Sequence, residues 1–359
     1  MSDVLDYTIP ELIFMTIKTR ITEMFGLKYP IISAPMGPFY TKELAIAVSE
    51  AGGLGVLSHT NLEGKDSLKE MEENMLEVVE RTDKPFGFNI RTSRMQPDAP
   101  TLVRKIPDFI MKNTKVKDQC VYALTSAGSP RMLPEAKSWG KLKEAGSQIK
   151  LFHVAPALWL AEKCVTANVD GIVATGTEGG GHQSYEKVST LVLLQQVQKE
   201  YPDLLKVACG GFATGEGVAA GLALGADAIA MGTRFIASQE SEFHPNYKAI
   251  VPEMESTDTD LYTGVFGPIR LWNNPYAKTH QLVANKEEKM AKEAEMDVQA
   301  LLEDQQHYEL TYHGDTQNGA VLLGQSGGII DTIDSVPDIL ENVCKVAEAT
   351  IQRIAGLIQ

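Results

Sequence analysis

The chain has 359 residues and a formal net charge of −14 at pH 7. That length can bury a large core without covalent staples, and that charge speaks against nucleic-acid backbones and anionic membrane surfaces, both of which reward clustered Lys and Arg. The four cysteines, Cys120, Cys164, Cys209 and Cys344, are scattered without a C-x-x-C pair, so neither a disulfide framework nor a zinc site is signalled, and Cys120 and Cys209 read as core thiols.

At the start, Asp3 and Asp6 stand where a secretory signal would be basic, and the apolar run over 12–17 is too short for a membrane span. A soluble, cytoplasmic protein is the expectation. After this leader, Pro30-Ile31-Ile32-Ser33-Ala34-Pro35-Met36 reads as a first strand, and a helix over 42–51 follows, closed by Gly52-Gly53. The alternation then repeats, with a strand over 54–58, a helix over 67–81, a strand over 86–90, a helix over 100–112 that tolerates Pro107, and a strand over 119–124. A helix over 134–145 leads into a strand over 150–154. A further helix over 156–167, with proline near its first turn, leads into the sixth strand at Gly171. Next come a helix over 191–200, a strand over 205–209 ending in Gly210-Gly211, a helix over 217–224 with Thr214 as N-cap, and an eighth strand over 226–231 ending in Gly232-Thr233.

Eight strand-then-helix units within roughly 210 residues predict a (β/α)8 TIM barrel over 20–240 rather than a doubly wound open sheet, with the active site at the C-terminal ends of the strands. From about 238 the rhythm breaks. Residues 241–318 read as an inserted, mostly helical cap or arm after strand eight. Its charged helix over 286–305 sets Met290, Ala294, Val298 and Leu301 on one face, and the segment is a candidate homodimer surface. Residues 319–359 return to the barrel through the turn Gly324-Gln325-Ser326-Gly327-Gly328 and a closing helix pair over 336–357.

The chemistry concentrates at the glycine turns. Three glycines separate Glu178 from His182, so backbone can approach a planar small-molecule ligand closely while the imidazole projects beside it. The plain alternative is a surface loop carrying an ordinary histidine. Gly210, Gly211, Gly232 and Thr233 end the last two strands, where barrels bind phosphate monoesters through exposed N–H groups and a helix N-terminus; the alternative is that they only permit sharp turns. No G-x-x-x-x-G-K-[ST] occurs and no G-x-G-x-x-G follows the first strand, which leaves ATP and a Rossmann dinucleotide site unsignalled. A phosphate beside a flat ring points to FMN.

His153 ends a strand and can reach the same mouth, against a structural, hydrogen-bonded role. His244 and His313 lie in loops as candidate substrate contacts. Trp272 and Tyr276 read either as an aromatic wall over the flavin or as core of the insertion. His59, His280 and His307 have no partner at metal-ligand spacing, so no catalytic metal is expected.

Several blocks, taken together, carry a resemblance. Ile21-Thr22-Glu23-Met24-Phe25-Gly26 leading to the first strand, Ala51-Gly52-Gly53-Leu54-Gly55, Lys84-Pro85-Phe86-Gly87-Phe88-Asn89, Gly176-Thr177-Glu178-Gly179-Gly180-Gly181-His182, Gly210-Gly211-Phe212-Ala213 and Met231-Gly232-Thr233-Arg234-Phe235 resemble, in family order, the signature blocks of the nitronate monooxygenase (2-nitropropane dioxygenase) family of FMN-dependent TIM barrels. Residues 314–328 resemble its C-terminal block.

The resemblance implies an FMN-dependent oxidoreductase that oxidises alkyl nitronates with oxygen, His182 serving as acid and base. It places Ala34, Pro35 and Met36 near the flavin, Asn89 on the ring or substrate, Gly180 and Gly181 along the flavin, Gly210, Gly211, Gly232 and Thr233 on its phosphate, and Gln325 against the ring. The same scaffold serves flavin-dependent enoyl-ACP reductases, NADH:quinone reductases and flavin enzymes of CoA thioesters. His244-Pro245-Asn246-Tyr247-Lys248 and Gly324-Gln325-Ser326-Gly327 resemble the enoyl reductases, whereas Asn89-Ile90-Arg91 and the Glu178 to His182 loop resemble the thioester enzymes. An NADH- or NADPH-dependent reductase of an enoyl thioester or quinone is therefore the second reading, and a non-redox barrel binding a phosphorylated metabolite the third. The stretch 252–315 departs from the shorter monooxygenases.

Overall fold

The computed structural model describes residues 17–264, 267–283, 285, 287, 288, 290, 291 and 298–358. The apolar run of the leader, apart from Ile17, and Ala294 of the insertion lie outside the described residues. The chain opens on α1 (Arg20–Phe25), then β1 (Ile31–Ser33), α2 (Lys42–Glu50), β2 (Gly55–Leu57), α3 (Ser67–Arg81), β3 (Phe86–Arg91), α4 (Ala99–Lys112), α5 (Thr114–Gln119), β4 (Cys120–Ser126), α6 (Lys137–Glu144), β5 (Lys150–Ala155), α7 (Leu158–Thr166) and β6 (Gly171–Thr175). A two-residue strand, β7 (Gly181–His182), comes before α8 (Thr190–Glu200), β8 (Leu205–Cys209), α9 (Gly215–Ala223), β9 (Ala228–Met231) and α10 (Thr233–Ile236).

Eight of these strands pair in parallel in the order β1-β9-β8-β6-β5-β4-β3-β2. The Ile32↔Leu54 bridge joins the two edges, with Ser33 N–H donating to the Leu54 carbonyl at 3.0 Å and Leu54 N–H to that of Ile31 at 2.9 Å. The result is the expected α/β TIM barrel. Apolar strand residues serve two layers, as strands covered on both faces must. Ile32, Val56, Leu124, Phe152, Val173 and Val207 fill the interior, while Ile31, Leu57, Phe88, Leu151 and Ile172 face the ring of helices.

Inside, large rings stand beside missing side chains. Tyr122 and Phe152 lie 4.8 Å apart between centroids; a β-carbon on Gly87 would come 2.8 Å from the Tyr122 ring, and one on Gly171 2.3 Å from the Phe152 ring. At the N-terminal ends of the strands, α1 inserts Ile21 and Phe25 into this interior layer, with Phe25 edge-on to Tyr122 at 6.1 Å. Arg20 ties the helix down by a two-pronged hydrogen bond to Asp227, 2.7 and 2.8 Å. The leader thus ends in a helix too short to stand out in the sequence pattern.

The insertion holds α11 (Pro245–Ile250), the strands β10 (Thr259–Gly264) and β11 (Gly267–Trp272), α12 (Pro275–Lys278) and α13 (Val298–Tyr312). Helix α13 runs past the expected end at 305. Within this mostly helical segment the antiparallel hairpin β10–β11 is unexpected, and it takes β7 as its third strand, with Ile269 opposite His182 and Arg270 opposite Gly181. The insertion shares an apolar cluster with barrel loops through Phe39 and Leu62, which pack with Phe243, Tyr247, Ile269, Leu271 and Tyr308. The expected closing helix pair is one helix, α14 (Val336–Ala355). Val336, Ile339, Leu340, Val343, Cys344 and Ala347 make one buried stripe, and no glycine interrupts the run before Gly356. Among the described residues no helix is long and apolar enough to cross a membrane.

Glycine at 55 is obligatory for the seating of α2 on β2, because a β-carbon there would lie 1.9 Å from the Ala45 carbonyl oxygen. Gly55→Ala is expected to destabilise by about 3 kcal/mol. Gly140, exposed within α6 with nothing near its missing β-carbon, makes the control, and Gly140→Ala should stabilise by about 0.5–1 kcal/mol. Urea midpoints at unchanged m-value check both.

Candidate functional site

At the C-terminal ends of the strands the loops enclose a cavity of about 720 Å³. Its floor is made of glycine turns that touch one another through backbone alone. Gly210 and Gly211 sit at φ of +89° and +87°, and Gly181 at +82°, a region that only glycine adopts freely. A β-carbon on Gly210 would come 2.9 Å from the Gly179 nitrogen, and one on Gly180 2.7 Å from the Leu323 carbonyl carbon. By contrast, a β-carbon on Gly232 would meet nothing nearer than the Ala34 β-carbon at 3.8 Å, and one on Gly211 nothing nearer than the Glu178 β-carbon at 3.5 Å. Both residues line the cavity, so bare backbone faces the open space there. Thr233 accepts the Gly324 N–H at 3.0 Å, which leaves its own O–H to donate. A neutral donor beside exposed backbone is the chemistry an anionic phosphate needs.

Buried polar links hold these turns in place. The Glu178 carboxylate accepts the Thr190 backbone N–H at 2.9 Å and lies 3.1 Å from the Thr190 hydroxyl. That hydroxyl accepts the Gly176 N–H at 3.1 Å and stands 2.8 Å from the Gly210 carbonyl. Gln325 N–H donates to the Glu178 carbonyl at 2.9 Å. Gln183 donates through Nε2 to the Gly179 carbonyl at 2.7 Å and through its backbone N–H to Pro268 of β11 at 2.7 Å.

The cavity wall includes Ala34, Pro35, Met36, Asn89, Gly180, Gly181, His182, Gly210, Gly211, Gly232 and Thr233, so those expected residues converge. Met36 is fixed by its N–H to Ser58 Oγ at 2.8 Å, and Asn89 by Nδ2 to Leu124 O and Ser126 Oγ, 3.2 and 3.1 Å. Burial pushes the Cys209 thiol on this wall up to about 11, so it stays neutral.

Six expected residues stand elsewhere, outside the wall formed by the described residues; one of them, His313, is exposed, its Nε2 3.6 Å from Glu63. His153 is fully buried, its Nδ1 2.7 Å from Thr125 Oγ1; the strand end turns it behind the wall. His244 caps α11, accepting Asn246 N–H at 3.1 Å. Trp272 packs at the edge of the insertion's apolar cluster, and Tyr276 stacks on His307 at 4.0 Å. Gln325 meets the glycine loop through its backbone, as above. Met290, by contrast, reaches the cavity wall while 48% exposed.

The nitronate monooxygenase family model matches residues 18–345. The chain belongs to the nitronate monooxygenase family. It is a flavin-dependent oxidoreductase. Among curated relatives, a (3aS,4S,5R,7aS)-5-hydroxy-7a-methyl-1-oxo-octahydro-1H-indene-4-carboxyl-CoA dehydrogenase of Rhodococcus jostii is 34% identical over 63% of this chain and 57% of its own length. A probable nitronate monooxygenase of Staphylococcus saprophyticus is 28% identical over 94% of this chain and all of its own. Among solved structures, FabK from Thermotoga maritima superposes with a TM-score of 0.78 at 32% identity, covering 96% of this chain and 100% of that one.

In this nitronate monooxygenase-family chain, several wall residues carry no motif that marks them as site members. Arg91 sits where β3 ends, beside a pair made of buried His59 and partly buried Asp98. Its backbone N–H donates to His59 Nδ1 at 3.1 Å, so the proton is on Nε2, which donates to Asp98 at 3.0 Å. Burial opposes the Asp98 charge, yet the donors His59, Ser67 and Gln96 hold its carboxyl well below the usual range. Ser126, Thr175, Gln183, Trp159 and Lys163 also line the cavity. For Ser126, Thr175 and Gln183 the one sequence signal is position at or just past a predicted strand or turn; Trp159 and Lys163 lie within the predicted helix over 156–167 and carry none.

Burial pushes His153 down to about 4 and lowers His59 as well. In the unfolded chain an imidazole protonates near pH 6.5, so both groups contribute stability that is complete above that value and declines as pH falls below it, for His153 down to about 4. For His153 the loss approaches about 1.4 kcal/mol per pH unit within that window. The urea midpoint should therefore fall across that window, and His153→Gln should make the decline shallower. An unchanged slope would mean that native His153 takes up its proton near the ordinary value.

Proposed function

We propose that the chain is an FMN-dependent oxidoreductase that oxidises alkyl nitronates with oxygen as the final electron acceptor, His182 serving as the acid and base that takes the carbon-bound proton when the substrate arrives as the neutral nitroalkane. One juxtaposition carries this reading: His182, on β7, shares a cavity wall with the bare-backbone turns at Gly180–Gly181, Gly210–Gly211 and Gly232–Thr233. In it, Gly211, Gly232 and Thr233 hold the phosphate, and Gly180 and Gly181 let backbone lie flat against the ring. FMN, when bound, supplies the two-way electron carrier. Met36 and Asn89 border the space left for the substrate, and His182 moves the proton at the carbon next to its electron-withdrawing group. The cavity lies in the upper part of the roughly 300–1,000 Å³ span of small-molecule sites, with room for cofactor and substrate together.

A second reading is an NADH- or NADPH-dependent reductase or dehydrogenase of an acyl thioester. One observation favours it: Arg91, Arg94, Trp159 and Lys163 also line the cavity, with the Lys163 ammonium 4.7 Å from the Trp159 ring centroid. Basic and aromatic lining residues suit a long anionic substrate tail better than a small nitronate. The name of the Rhodococcus relative, a carboxyl-CoA dehydrogenase, points the same way.

Anaerobic mixing of the FMN-loaded protein with propyl nitronate, NADH or NADPH separates the two. Loss of the oxidised flavin absorbance with the nitronate alone is the expected result; rapid bleaching by a nicotinamide would move the protein to the second reading. His182→Ala should retain FMN and lose about two to four orders of magnitude in turnover on the neutral nitroalkane, whose proton must be removed. Thr233→Val should weaken FMN about 10- to 100-fold, because it removes a hydrogen bond to a charged group, with Thr233→Ser restoring it. Fluorescence titration of the apoprotein reads both affinities.

A further inference from the structure

Arg270 of β11 is 5% exposed, a depth at which a guanidinium persists only when its donors are met. Its Nε donates to the Thr177 carbonyl at 2.8 Å, and its Nη1 to the Thr259 carbonyl and hydroxyl, both at 3.1 Å. Asp260 and Glu178 are the carboxylates that offset the burial of its charge. One side chain therefore joins three pieces of chain: both strands of the inserted hairpin and the turn that leads to His182. Thr177 is held from its other side as well, its N–H donating to the Val188 carbonyl at 2.9 Å. Further along the loop, the same hairpin takes up Gly181 and His182 as its third strand.

We infer that Arg270 is a positioning residue for His182, a clamp through which the inserted hairpin sets where the imidazole stands over the cavity. This rests on the acid–base role proposed above for His182. The β7 segment has only two residues of strand pairing to hold it, too few to fix a loop by themselves. The planar guanidinium fork, spanning Thr177 on one side and Thr259 on the other, adds to the Gln183 bonds the constraint that ties the start of the loop to both strands of the hairpin. A lysine at 270 keeps the charge, but its single ammonium cannot reproduce the rigid fork that bonds both partners.

The test uses the full chain loaded with FMN and the variants Arg270→Lys and Arg270→Gln, each alone and Arg270→Lys combined with His182→Ala. Amide hydrogen exchange across 177–183 should rise about tenfold or more in both single variants, while FMN affinity stays within about threefold of the parent. Turnover with the substrate identified by anaerobic mixing should fall at least about tenfold, with KM changed less than about threefold. Adding Arg270→Lys to His182→Ala should cost nothing further, since the clamp acts through the imidazole. Unchanged exchange across 177–183 overturns the clamp whatever the activity. Raised exchange combined with full turnover of His182→Ala keeps the clamp and sinks the acid–base reading of His182 instead. Losses that add fully in the double variant would assign Arg270 an effect separate from His182 and overturn the positioning role.

Discussion

Three chain segments approach one another backbone to backbone at the barrel mouth. A β-carbon on Gly324 would come 2.8 Å from both the Glu178 carbonyl oxygen and the Gly180 nitrogen, while Gly180 closes on Leu323 and Gly210 on Gly179 at comparable range. No other residue type permits this approach. Because the contacts are made by main chain, the turns after β6 and β8 and the segment that returns from the insertion form one floor. Hydroxyls tie it together where side chains do occur: Thr190 between Gly176 and Gly210, Thr233 under Gly324. A floor built in this way has few rotamers to rearrange when a ligand arrives, which is the condition for a pre-organised site.

The second level of order comes from the insertion. Its hairpin continues into β7, its apolar residues share a cluster with Phe39 and Leu62 of the barrel loops, and Tyr247 donates its hydroxyl proton to the Leu322 carbonyl at 2.7 Å. The segment is therefore wall and support of the cavity, although its sequence reads as an appendage. Residues on two separate stretches of the chain, 176–183 and 322–325, owe their placement to it.

The barrel is legible in the sequence because its signal is local and repeated. Each strand is a short apolar run, each helix has a cap or a stripe, and the glycines that follow β6, β8 and β9 mark the mouth. The glycine turns at the mouth and His182 are legible for the same reason, since glycines that close a buried parallel strand serve chiefly to turn the chain sharply or to bring bare backbone to a ligand. What stays hidden depends on long-range pairing. Arg270 and Thr177 are 93 positions apart, and the alternation of Thr259 and Leu261 with exposed Asp260 is the one trace of the hairpin. His153 misleads because a strand end fixes where a residue stands and leaves open which face it takes; here it turns to Thr125. Trp272 and Tyr276 mislead because aromatic residues signal core and ligand wall equally.

The opposite end of the barrel has its own consequence. With α1 seated in the interior layer through Ile21 and Phe25, side chains close the barrel at the foot of the strands, while the cavity lies among the loops at their other end. Packing and ligand space are therefore held by different ends of the same strands, so mouth loops can be exchanged without loosening the layer on which the fold rests.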